Sequence, residues 1–166
     1  LRTAESGSLA ALLARAWEGL GAGPGDVDLA ALAVPGPVRD RTYCKPPNIA
    51  WDMDVSRCAH DFGLRRCLLL NDFAAQAFAC RTLAVDQSRV IKPGRADSAG
   101  TLAVVGAGTG LGHCALTPWG GDQVPVASEG GHAAFAFVGP EEAEYGEFVR
   151  RVLARPYADG DAVVSG

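Results

Sequence analysis

An unbroken apolar row, Cys67-Leu68-Leu69-Leu70, runs straight into Asn71-Asp72 and then into a helical pattern, and it constrains the chain more than any other stretch. An apolar run without alternation suits a strand covered on both faces, which needs helices packed above and below it. The expected class is therefore α/β, with residues 67–70 as a central strand. Asn71 and Asp72 then open a second apolar helix at 73–83, a polar pair at the carboxyl end of a strand, where open α/β sheets bind ligands. Neighbouring segments keep the same alternation. Leu9, Leu12, Leu13, Ala16, Trp17 and Leu20 recur at helical spacing, with Ser8 placed to cap and Gly21 to stop the helix. Residues 29–34 read as a buried strand closed by Pro35-Gly36-Pro37, residues 41–44 and 49–53 as short strands, and Asp54 as the cap of a helix at 55–62 ended by Gly63.

Beyond this, residues 85–100 are polar and turn-rich and form the candidate domain crossing. The strand pattern restarts at 102–105 and again at 112–116, and the tight glycine loop between them suggests a hairpin rather than a strand and helix. Pro140 with Glu141, Glu142 and Glu144 marks a helix start, and Phe148, Val149, Val152 and Leu153 supply its expected buried stripe. The chain starts at Leu1 without a Met and stops at 161–166 inside what reads as another element, so a piece incomplete at both ends is expected.

Composition narrows the function classes. With 166 residues, 48% hydrophobic and 20% charged, the chain can bury one core or two small ones. Its net charge of -4 argues against a surface built for nucleic acid or anionic lipid. No apolar run of about 18 residues is present to span a bilayer. The five cysteines fall at irregular spacing with no CxxC pair, which suits buried free thiols in a reducing cytoplasm and gives no zinc clamp.

Three stretches carry chemistry. In Gly106-Ala107-Gly108-Thr109-Gly110-Leu111-Gly112, four glycines allow backbone N–H groups close to a phosphate, and the Thr109 hydroxyl adds a donor. The dinucleotide fingerprint needs a helix after such a run, and residues 112–116 read as strand; a Walker loop needs Gly-Lys-Ser/Thr, which is missing. A glycine-rich hairpin without ligand remains the plain alternative. Asp72 at a strand end can take a proton from a substrate hydroxyl, although local sequence alone favours a helix cap there. In Ser128-Glu129-Gly130-Gly131-His132, a carboxylate and an imidazole stand three residues apart, suited to paired hydrogen bonds with vicinal sugar hydroxyls. A metal would need further ligands, and no other His or Cys lies at ligand spacing.

Taken in order, Asn71-Asp72-Phe73, the 106–112 glycine run, Glu129-Gly130-Gly131-His132 and Val164-Ser165-Gly166 resemble the successive signatures of the bacterial glucokinase family. Ala33-Val34-Pro35-Gly36-Pro37-Val38 and the Asn48 to Trp51 segment extend the likeness over nearly the whole chain. The resemblance implies an actin-like ATPase (ribonuclease H-like) sugar kinase of two lobes, with residues 1–84 in the smaller lobe, 85–166 in the larger, and Asp72 near the cleft. It implies that Asp72 is the general base that activates the 6-hydroxyl of glucose toward the γ-phosphate of ATP. It also implies that Asn71, Glu129, His132 and Asp161 hold glucose, and that Gly108, Thr109 and Gly110 form a phosphate loop working with Mg²⁺. A homodimer is a family-level expectation.

The chain departs from the family at two points. Asp161 stands where the family has a Glu, and the family's first phosphate hairpin, Asp-x-Gly-Gly-Thr, is missing, so the segment alone is expected not to turn over. The rival class is a sugar-binding transcriptional regulator without catalysis, and a third reading is a paralogue that binds nothing. The related zinc-bearing kinases carry clustered cysteines after their His, and none follows His132, so no structural zinc is expected.

Overall fold

The computed structural model describes residues 5–47, 49–95, 97 and 99–164. Asn48, and the Ser165 and Gly166 of the Val-Ser-Gly signature, lie outside the described residues. The chain separates into two compact units, Leu1–Ala75 and Gln76–Gly166.

In the first unit, helix α1 (Leu9–Leu20) begins where the Ser8 hydroxyl accepts the Ala11 N–H and ends at Gly21 in the left-handed region. Strand β1 (Ala30–Val34) runs parallel to β5 (Cys67–Asn71), with Val34 opposite Asn71, so both strands end at the same level. Between them in sequence lies a small antiparallel sheet of β2 (Val38–Arg39), β3 (Tyr43–Cys44) and β4 (Met53–Asp54). Strand β2 gave no sequence signal of its own. Leu9 and Leu13 of α1 pack with Val34, Cys44, Met53, Val55, Leu64 and Leu69 in one core.

Three expectations are corrected between β1 and the end of the helix that follows β5. Among the described residues, β5 pairs with one strand only; the Leu69 N–H on its other edge donates to the Arg41 carbonyl at 2.7 Å. Asp40 and Arg41 reach that position through backbone angles in the left-handed region. Helix α2 spans only Cys58–Phe62, because the Asp54 carboxylate accepts the Ser56 N–H and turns the chain first. Asn71 closes β5 and opens the next helix as expected, but that helix, α3 (Asp72–Ala79), ends four residues before the expected Leu83. Its end is marked by the Thr82 hydroxyl, which donates to the Ala79 carbonyl at 2.7 Å.

The second unit holds an antiparallel meander of β6 (Leu102–Ala107), β7 (Leu111–Trp119) and β8 (Asp122–Ser128). The expected hairpin is present and a third strand extends it. Cys114 and Leu116 face the buried side, whereas Val105 and Val126 face solvent. After β8, a 3-10 turn at Gly130–His132 leads to α4 (Gly139–Leu153) and α5 (Gly160–Val164). The expected stripe on α4 is mostly exposed: Val149 is buried at 6%, but Phe148 and Val152 are 51% and 64% exposed. The helix is seated through Gly146 instead, whose bare Cα accepts the Phe137 ring; a Cβ there would lie 2.9 Å from that ring.

All five cysteines are free thiols, with Cys44 and Cys114 buried and the other three half-buried. Burial pushes the Cys67 thiol up to about 11, so it stays protonated at neutral pH. No helix among the described residues is long and apolar enough to cross a membrane.

Candidate active site

The candidate residues fall into two groups, one in each unit. In the first unit, β5 delivers Asn71 and Asp72 to the carboxyl end of the parallel pair. The Asn71 side-chain oxygen accepts the N–H groups of Phe73 at 2.9 Å and Ala74 at 3.2 Å, so Asn71 is the cap of α3. Its amide nitrogen donates to the Gly36 carbonyl at 3.3 Å, which ties the loop after β1 to the start of the helix. The cap role that local sequence favoured for Asp72 thus belongs to its neighbour.

Asp72 is half-buried at the first helical position. Its Oδ1 shares the Phe73 N–H at 2.9 Å, and its Oδ2 has no hydrogen bond among the described residues. That oxygen is available to a hydroxyl of a bound molecule. Cys44 in the same unit is held protonated by burial and by the charges of Asp52 and Asp72, and it donates to the Pro35 carbonyl at 3.4 Å. A thiol in that state does not compete as a nucleophile.

In the second unit, the loop joining β6 and β7 is the three residues Gly108, Thr109 and Gly110, since Ala107 pairs with Leu111. The Gly108 N–H donates to the Gly110 carbonyl at 2.9 Å, which holds the loop tight, and Thr109 is exposed at its tip. Space is open beside Gly108, with no heavy atom within 4 Å of where a Cβ would stand. On the other side the loop is walled by Asp161, and a Cβ at Gly110 would meet its carboxylate at 2.9 Å.

Glu129, His132 and Asp161 converge here. The imidazole lies between the two carboxylates, with Nε2 3.7 Å from Glu129 and Nδ1 3.5 Å from Asp161. The 3-10 turn makes this possible, because the His132 N–H donates to the Glu129 carbonyl at 3.0 Å and brings both side chains to one side. Asp161 is carried in by α5, whose first turn is closed by Asp159 accepting the Ala162 N–H at 2.9 Å. One Asp161 oxygen accepts the Leu111 N–H at 2.5 Å.

Sequence reasoning did not anticipate this contact between Asp161 and Leu111. Its signal was the pair of glycines at 110 and 131. At Gly131 a Cβ would overlap both the Leu111 carbonyl oxygen and Asp161. A backbone oxygen locked in a strand cannot step aside. Gly131→Ala is therefore expected to lower stability by about 1–3 kcal/mol or more, read as a fall in the denaturant midpoint with unchanged slope. An unshifted midpoint would show that the turn relaxes freely.

With this geometry in view, the comparison with known proteins is direct. The whole chain, residues 1–166, matches the family model described as Glucokinase. The chain belongs to the glucokinase family. It is similar to the glucokinase of Synechocystis sp., with 35% identity over 144 residues, which are 86% of this chain and 40% of that protein. Glucokinase of Caulobacter vibrioides is 34% identical over 139 residues, 84% of this chain and 42% of that protein. Among solved structures, glucokinase from an Antarctic psychrotroph superposes with a TM-score of 0.76 and 30% identity, covering 100% of this chain and 50% of that one. A Balamuthia mandrillaris glucokinase, solved in complex with glucose, shares the fold with a TM-score of 0.73 and 20% identity, covering 95% and 49%. The fold is thus the α/β, actin-like ATPase architecture over half of a glucokinase. This chain spans about two fifths of the length of these curated relatives and about half of the solved ones.

Proposed function

We propose that the full-length protein is a glucokinase that transfers the γ-phosphate of ATP to the 6-hydroxyl of glucose. The observation that carries this reading is the state of Asp72. It sits at the carboxyl end of β5 with the capping of α3 already supplied by Asn71, which leaves a carboxylate oxygen for a substrate hydroxyl. Such a carboxylate accepts the hydroxyl proton as the oxygen attacks phosphorus, the part played by a positioned base in phosphoryl transfer.

Glu129 and His132 suit a polyol: a carboxylate accepts from hydroxyls, and an imidazole both accepts and donates. In this proposal they hold glucose together with Asn71, whose amide nitrogen keeps one N–H beyond its bond to Gly36, and with Asp161. The open side of the glycine loop at Gly108, with the Thr109 hydroxyl at the tip, suits a phosphate group, and Gly110 completes the loop. Among the described residues no three His, Cys, Asp or Glu side chains group to cage a metal. In this proposal Mg²⁺ comes in on the nucleotide phosphates, the coordination it prefers. When bound it would supply charge neutralisation at the transferred group. The proposal also places residues 1–84 in the smaller lobe of the kinase and 85–166 in the larger.

A coupled assay on the full-length protein tests this, with ATP and Mg²⁺ and with glucose, mannose, fructose or N-acetylglucosamine as acceptor. Selective phosphorylation of glucose is expected. Binding of glucose without phosphorylation of any of the four sugars would overturn the kinase reading in favour of a sugar-responsive regulator.

A further inference from the structure

Asp161 touches both halves of the second unit's candidate machinery. One oxygen takes the Leu111 N–H at 2.5 Å, the first amide after the 108–110 loop, and the other lies 3.5 Å from His132 Nδ1. The carboxylate also fills the space where Gly110 and Gly131 lack side chains, so the loop and the His132 turn are pressed on it from two sides. Its side chain is only 26% exposed. The Leu111 amide engages one of the two carboxylate oxygens and so fixes the Asp161 side chain at the end of the loop.

We propose that Asp161 is a positioning residue that couples the phosphate loop to the sugar-holding turn, so that a sugar seated on His132 fixes the loop through the Leu111 amide. The coupling rests on the glucokinase reading, whereas the tie to Leu111 does not. Its chemistry separates into two arms. Asp161→Asn keeps a side-chain oxygen for the Leu111 N–H but removes the charge facing His132; Asp161→Ala removes both.

In the full-length protein, Asp161→Ala is expected to raise the KM for ATP and the KM for glucose each by about tenfold or more, the loss of a charge-assisted hydrogen bond. Asp161→Asn is expected to raise the glucose KM while leaving the ATP KM within about threefold of wild type. A rise confined to the glucose KM in both variants would overturn the coupling and make Asp161 a sugar contact alone. Amide exchange in the unsubstituted protein gives a reading that no folding defect can confuse. Glucose without nucleotide should slow exchange at Leu111, and sugar binding with Leu111 unchanged would overturn the proposal. Should the protein neither bind nor phosphorylate glucose, the kinase reading falls. The tie is then decided by Leu111 exchange in the two variants: faster in Asp161→Ala than in Asp161→Asn supports it, and equal rates overturn it.

Discussion

Asp72→Asn in the full-length protein is expected to lower kcat by about 10²–10⁴-fold, the range for loss of a positioned general base, with glucose affinity nearly unchanged. Asparagine matches the shape of aspartate and keeps an oxygen for the Phe73 N–H, so the start of α3 survives. The cap itself comes from Asn71, which the substitution leaves in place. Only the ability to take a proton is lost. Single-turnover kinetics beside equilibrium glucose binding make the distinction, and near-normal turnover would remove Asp72 from the role of base.

The largest stability effect is expected at Leu69. This side chain is 1% exposed at the middle of β5, among Val34, Cys44, Leu64 and the α1 leucines in the core. Leu69→Ala leaves a cavity that a parallel strand pair cannot close without disturbing the β1 register, so a loss of about 2–5 kcal/mol is expected. Leu83→Ala, at an 83% exposed position, should stay within about 0.5 kcal/mol of the parent. Urea melts of the three proteins compare them, and a loss below about 1 kcal/mol at Leu69 would mean that the core refills the gap.

Where the fold was legible in the sequence, a local physical signal stood behind it. Ser8 and Gly21 bracket α1 through a hydroxyl that caps and a glycine that tolerates the left-handed region. The tight glycine run gave a hairpin because it leaves too few residues to start a helix. Where the reading failed, a side chain acted on the backbone of a neighbour. Asp54 turned the chain before α2, and Asn71 took the cap expected of Asp72. The α4 stripe failed for another reason. Periodicity marks a face as apolar but does not say what covers it, and Phe148 and Val152 remain in solvent. At the candidate site, residue types were readable one by one, whereas the meeting of Leu111 and Asp161 is a contact across fifty positions of sequence. Only tertiary structure creates it.

The crowding at Gly131 also bears on heredity. Any glycine codon keeps its meaning when the third base changes, but a substitution in either of the first two bases that still encodes an amino acid installs a Cβ. Here the Leu111 carbonyl and Asp161 already occupy that space. The codon for this glycine thus offers drift only silent routes, and a population surveyed for variants of this gene should tolerate synonymous change there and little else.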